Sequence, residues 1–225
     1  MTGDKSPYHS LTLSGLEVNE IQISSPKVYS SNCQIKVTDH MFEASPSRNA
    51  RIAGTFYLLT FLTGLPAFFL HSGLGIAFGL TAGACYIVVT LFFYYMFRPV
   101  NKSVSLLAMI VSLLGCAIGP ISAGFHFTLQ INPLVFFGCY CLLIGYLIFR
   151  SMFLPAVVGA LMAFAGLGWL TFLSSSAASR MEPYNLIPGL IGEGTLTIWL
   201  LVKGVNEQQW HKQATLAEMP VKGGN

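Results

Sequence analysis

Six long apolar segments, separated by short polar connections, cover most of the chain after residue 51. They lie at about 52–70, 74–97, 103–125, 133–149, 156–173 and 184–205. Apolar segments of this length can cross a hydrocarbon core about 30 Å thick. Because the connections are short, successive helices should lie antiparallel and adjacent. The pattern predicts an all-α fold, a polytopic membrane bundle of six transmembrane helices with short loops, in a domain over residues 48–210.

Polar segments flank this predicted domain on both sides. Residues 1–47 show only patchy alternation of apolar positions, and residues 211–225 form a polar C-terminal tail. A short polar segment with few aromatic residues buries too little apolar surface to fold alone, so we expect residues 1–47 to be disordered. Met41 directly precedes an ordinary lead-in to a membrane helix, and residues 1–40 could instead reflect a mis-called start codon.

The composition supports a lipid environment. Hydrophobic residues make up 53% of the chain and charged residues 9%, against about 25% charged in soluble domains. The formal net charge of +3 comes without a basic patch or an interleaved aromatic motif, so no nucleic-acid partner is expected. The lipid bilayer is the predicted partner.

The distribution of basic residues predicts the orientation. With the N-terminus inside, every Lys and Arg except Arg180 falls in a cytoplasmic segment. An excess of Lys and Arg on one side marks the cytoplasmic side of a membrane protein. We therefore predict a multi-pass protein of the plasma (inner) membrane with both termini in the cytoplasm.

Acidic residues are missing from most of the predicted domain. No Asp or Glu occurs from Ala44 through Met181, which excludes paired-carboxylate catalysis over that stretch. The chain also lacks a nucleotide-binding loop, a G-x-S-x-G elbow and an H-E-x-x-H motif. The sequence predicts no catalytic residue, no cofactor and no metal site. It favours a protein that is not an enzyme, but it does not decide the question.

Glu193 is the exception inside an apolar segment. It lies nine residues from Tyr184, which corresponds to a depth of roughly 13 Å in a helix. An ionisable residue at this depth is a functional-site hypothesis by default. The alternative is a neutral carboxylic acid that hydrogen-bonds to a neighbouring helix. The flanking Gly192 and Gly194 would let a ligand or another backbone come close.

Other polar residues gather toward the predicted outer side. His71 ends the first segment, His126 ends the third, and Arg180 and Glu182 lie in the last outer connection. Together they suggest an outward-opening polar cavity with Glu193 at its floor. The alternative is a set of ordinary interfacial side chains. A zinc site from His71, His126 and Glu193 has suitable ligand types, but nothing in the sequence fixes their spacing.

The second apolar segment carries a row of small residues. Gly75, Gly79 and Gly83 are four apart and share one helix face. Such faces let helix backbones approach closely within lipid. We expect this face to pack against another helix, either within the bundle or in a homo-oligomer or a complex with a membrane partner.

Several segments resemble bacterial membrane proteins of the domain-of-unknown-function 4386 family, over about residues 48–210. The similar segments are Arg51–Gly54, Tyr57–Thr60, Phe97–Ser103, Tyr140–Ser151, Phe153–Pro155, Ala165–Leu170 and Gly192–Asn206. The resemblance implies a six-helix protein of the bacterial plasma membrane and implies no known activity. One departure is the short connection at residues 71–73, where family members usually carry a longer loop.

Three functions are compatible with these features. The first is binding or transport of a small molecule, an ion or a lipid through an outward-facing cavity near Glu193. The second is a structural or regulatory membrane partner that acts through helix contacts. The third, a membrane-embedded enzyme, has the least support because so few nucleophiles or ligands are available.

Overall fold

The structure, a computed structural model, describes residues 45–70, 73–125, 132–181 and 183–219. All regular secondary structure in these ranges is helical, so the predicted all-α class is confirmed for this part of the chain. The α-helices are α1 (Pro46–Phe69), α2 (Gly73–Phe97), α3 (Lys102–Phe125), α4 (Leu134–Arg150), α5 (Ala156–Leu170), α6 (Ser175–Met181), α7 (Leu186–Val202) and α8 (Glu207–Glu218). The expectations for residues 1–44, disorder or a mis-called start, lie outside the described residues.

The number of membrane spans is supported only in part. Among the described residues, two helical stretches are long and apolar enough to cross a bilayer, Gly73–Phe97 and Ala156–Leu173. A third is added if α6 and α7 are counted as one broken span. The helices α4 and α7 have 17 residues each, which gives a length of about 26 Å, shorter than a core of about 30 Å.

Six of the helices form a closed ring. In chain order α1, α2, α3, α4 and α5 each contact the next, α5 contacts α7, and α7 returns to α1. The short connections explain this order, because they leave each helix beside its predecessor. The short α6 lies in the predicted connection between the fifth and sixth apolar segments.

Glycines bring α4 and α5 into close contact. A Cβ atom added at Gly145 would lie 2.9 Å from the carbonyl oxygen of Gly159, and one at Gly166 would lie 2.8 Å from that of Gly138. Real Cβ atoms essentially never approach so closely. Small residues allow this approach of two backbones, and the seven-residue spacing on each helix repeats the contact two turns further along.

The helix α8 anchors the C-terminal part of the chain to the ring. Its first turn is capped by the Asn206 side chain, which accepts a hydrogen bond from the Gln209 amide at 3.2 Å. The indole of Trp210 is buried and donates to the Met96 carbonyl at 2.9 Å. Gln213 accepts from the backbone amide of the α4–α5 connection at 3.0 Å. This helix was not predicted from the sequence, and most of it lies in the predicted polar tail.

Candidate functional site

Glu193 lies inside the ring, on α7, with 5% of its surface exposed. The glycine before it makes this position possible. A Cβ atom at Gly192 would lie 2.7 Å from the Cβ of Ala165 on α5. Because Gly192 has no side chain, α7 can lie close against α5. This close packing places the Glu193 carboxyl group in the interior.

Three side chains from three different helices donate hydrogen bonds to the Glu193 carboxyl group. The Tyr57 hydroxyl on α1 donates to Oε2 at 2.7 Å. The Cys141 thiol on α4 donates to Oε1 at 3.5 Å, and the Trp169 indole N–H on α5 donates to the same oxygen. Buried polar groups are normally paired in this way. The contacts connect α1, α4, α5 and α7 around one carboxyl group.

The remaining ring helices add polar groups beside this cluster. Thr90 on α2 and Ser112 on α3 are buried and share a hydrogen bond of 2.6 Å. Tyr86, one turn before Thr90, packs its ring edge-on against Tyr57 with centroids 5.6 Å apart. We call these side chains, with Tyr57, Cys141, Trp169 and Glu193, the polar layer. Every helix of the ring contributes to it.

The Tyr86 hydroxyl has no partner in the described part of the chain. The side chain is 6% exposed, and its oxygen is buried without a hydrogen bond. Leaving a buried hydroxyl unpaired costs about 1–3 kcal/mol. Such groups are rare in folded proteins, so this hydroxyl calls for an explanation, and a water or another bound group beside it is one.

A cavity of about 320 Å³ lies against the polar layer. It occupies the half of the ring that contains the end of α1 and the beginnings of α2, α4 and α7. Its described lining residues are mainly apolar or small: Thr60, Phe61, Gly64, Leu65, Gly79, Ala82, Gly83, Tyr86, Gly115, Cys116, Pro133, Leu134, Phe137, Trp169, Leu186, Leu190 and Glu193. The wall is thus far more apolar than the polar cavity that the sequence suggested.

Of the two predicted cavity residues that the structure describes, Glu193 and Arg180, one lies at this site. Glu193 is on the wall, whereas Arg180 lies exposed on α6 and is not among the lining residues. His71, His126 and Glu182 lie outside the described residues. Within the described ranges, no three His, Cys, Asp or Glu side chains are grouped so as to hold a metal ion.

The three glycines of α2 have different surroundings. An added Cβ at Gly75 would collide with the backbone of Leu70, and one at Gly79 would rest 3.8 Å from the Cβ of Ala67. At Gly83 it would meet nothing within 4 Å. Both Gly79 and Gly83 line the cavity, so their missing side chains provide space inside the ring. Packing of this face in an oligomer stays a prediction.

Residues 122–204 match the family model of a domain of unknown function, DUF4386. This part of the chain is similar to DUF4386 domains. The predicted resemblance is therefore confirmed there, and the matched part contains Cys141, Trp169 and Glu193. The similar segments in α1 and between α2 and α3 precede it. An uncharacterised protein of Archaeoglobus fulgidus is 27% identical over 128 residues, covering 52% of this chain and 76% of the relative. No solved structure matches the chain.

Sequence reasoning missed most of the partners of Glu193. Tyr57, Cys141 and Trp169 entered only as parts of similar segments. Each is a hydrogen-bond donor inside an apolar run. A search for such donors would have selected them, although it could not have paired them with Glu193.

Proposed function

We propose that this protein is a multi-pass membrane protein whose cavity binds a small amphiphilic molecule. In this proposal the six ring helices cross the plasma membrane, both termini are cytoplasmic, and the cavity lies in the outer half. The part of the chain that matches the DUF4386 model supplies Glu193 and two of its three hydrogen-bond donors.

The exterior of the ring supports the membrane assignment. Large aliphatic side chains point outward and are at least 60% exposed on several helices: Leu62, Leu74, Ile76, Val157, Leu167 and Ile198. Water-soluble monomers rarely expose apolar patches of this extent. Lipid tails would cover such a surface without cost, while the polar layer stays inside the protein.

The positions of the basic residues support the orientation. Arg51 near the start of α1, Lys102 at the start of α3, Arg150 at the end of α4 and Lys203 after α7 lie at one end of the ring. Arg180 on α6 lies near the other end. This asymmetry favours a cytoplasmic location for the first group, which directs the cavity outward.

The observation that carries the proposal is a cavity with an apolar wall and one acidic side chain at its inner end. Its 320 Å³ fall at the lower end of the usual range for small-molecule pockets, about 300–1,000 Å³. An apolar cavity of about 150 Å³ can hold benzene. The space therefore suits an aromatic ring with a short chain and one polar group.

Binding is better supported than transport. A transported molecule must also leave on the inner side, where the polar layer closes the cavity. Tyr57 and Cys141 have no exposed surface there. The packed aromatic side chains of Phe93 and Phe97 follow toward the inner end of α2. A binding protein that senses or sequesters its ligand requires no such opening.

The test uses phenylbutanol, an apolar molecule with one hydroxyl, and the purified protein in lipid nanodiscs. A ligand that binds only the folded state raises its stability. We expect phenylbutanol to raise the unfolding temperature of the unaltered protein and of Gly194→Leu. Gly83→Leu should abolish the increase because its side chain fills the cavity.

The two variants are matched by their surroundings. An added Cβ meets nothing within 4 Å at either glycine, but only Gly83 lines the cavity. Effects of phenylbutanol on the bilayer itself are common to both variants. Equal temperature increases in Gly83→Leu and Gly194→Leu would show that the cavity is not the binding site and would refute the proposal.

A further inference from the structure

We propose that the ligand is cationic: a small amphiphile with an ammonium-type group that lies against the Glu193 carboxylate, while its apolar part contacts the aromatic wall. This inference rests on the proposed binding function and names the class of ligand. It is carried by the arrangement of donors at Glu193, the absence of a cationic side chain beside it in the described ring, and the aromatic residues around the cavity.

The donors around Glu193 fit a carboxylate. The indole N–H of Trp169 and the thiol of Cys141 both point at Oε1, and the Tyr57 hydroxyl points at Oε2. A carboxylate accepts at about four lone-pair positions. Three are used by these donors, and the side chain also lines the cavity. One acceptor position therefore remains for a ligand.

The described part of the ring provides no positive charge for this carboxylate. In the ring helices, Lys and Arg occur only within the first or last six residues, as with Arg51 in α1 and Arg150 in α4. Among the described residues, the partners of Glu193 are all uncharged donors. An uncompensated buried charge is strongly unfavourable. Either a proton or a ligand must compensate it, and a cationic ligand can replace the proton.

The wall suits the apolar part and the charge of such a ligand. Phe61, Tyr86, Phe137 and Trp169 line the cavity together with Glu193. Aromatic faces attract ammonium groups, most strongly where water is excluded. A carboxylate combined with aromatic rings discriminates a hydrophobic cation from a neutral molecule of the same shape, which an apolar pocket alone cannot do.

The test compares benzyltrimethylammonium with neopentylbenzene, in which carbon replaces the charged nitrogen. Dissociation constants come from the dependence of the unfolding temperature on free ligand concentration, with Gly83→Leu as the cavity-filled control. We expect the cation to bind at least about tenfold more tightly than its neutral isostere, because a close charge pair in a desolvated site is worth more than about 1.4 kcal/mol.

The same two ligands are also measured with the Glu193→Gln variant, which lacks the negative charge. The glutamine can still accept from Trp169 and donate to the Tyr57 oxygen, so the fold should be retained. The variant should bind the two isosteres about equally. If the unaltered protein shows no preference for the cation while phenylbutanol still binds, the charge inference is overturned and the binding proposal stands. If none of the three molecules binds, both fail.

Discussion

Removing the hydroxyl groups of two buried tyrosines that contact each other should affect the stability of the protein differently. Loss of one hydroxyl should lower the free energy of unfolding, and loss of the other should not. Tyr57 donates to Glu193 Oε2 at 2.7 Å, while the Tyr86 hydroxyl has no partner among the described residues. The rings pack edge-on with centroids 5.6 Å apart, and a change to Phe keeps both rings. The pair therefore isolates the contribution of one hydrogen bond at the candidate site.

The expected magnitudes follow from these contacts. Without a ligand a proton compensates the Glu193 charge, so the hydrogen bond from Tyr57 joins uncharged groups and contributes about 0.5–1.5 kcal/mol. Tyr57→Phe should lower the free energy of unfolding by about that amount. Tyr86→Phe removes a hydroxyl that is buried without a partner. Its loss relieves a desolvation cost, so stability should be unchanged or higher by about 1 kcal/mol. The two variants should differ by about 1–2 kcal/mol.

Equilibrium unfolding of the purified protein in mixed micelles with increasing sodium dodecyl sulfate, followed by circular dichroism, measures both values. The unaltered protein and Glu193→Gln provide the references. A Tyr57→Phe variant that is as stable as Tyr86→Phe would refute the assigned hydrogen bond and, with it, the organisation of the polar layer around Glu193.

Other contacts give further predictions. Gly166→Ala should lower the free energy of unfolding by about 1–3 kcal/mol, because its Cβ would lie 2.8 Å from the Gly138 carbonyl oxygen. Gly83→Ala, which meets nothing within 4 Å, should instead gain up to about 1 kcal/mol of helix propensity. The same unfolding assay measures both, and equal effects would contradict the close α4–α5 contact. Trp210→Phe removes the hydrogen bond to the Met96 carbonyl and should cost about 1 kcal/mol. Limited proteolysis should then cut α8 faster, and an unchanged rate would show that this bond does not hold the helix.

The hydrophobic pattern predicted the positions of the long helices because each is a continuous apolar run. Each predicted segment overlaps one helix of the ring. The helix α8 lacks such a run, and its attachment depends on Trp210, whose partner is 114 residues away. The sequence offered only weak signals for it, namely a lone Trp in a polar segment and an Asn that caps the first turn.

The central residue of the candidate site, Glu193, could be predicted from the sequence, but its hydrogen-bond partners could not. Glu193 stands out as a carboxyl group within an apolar segment, whatever the fold. Its hydrogen bond to Tyr57 spans 136 residues of sequence, and periodicity gives no information about which helix faces which across a ring. The apolar wall was also not predicted, because the spacing of Gly79 and Gly83 gives no sign that they line a cavity.

The most direct test of the account is the side of the membrane on which the two ends of α7 lie. Single cysteines at Arg180→Cys and Lys203→Cys, in a background without the natural cysteines, bracket the helix that carries Glu193, and both positions are exposed. A membrane-impermeant maleimide applied to intact cells should modify the cysteine at position 180 and reach position 203 only after the membrane is permeabilised. Equal modification of both positions in intact cells, or the reverse pattern, would contradict a bundle that crosses the bilayer with its cavity outward.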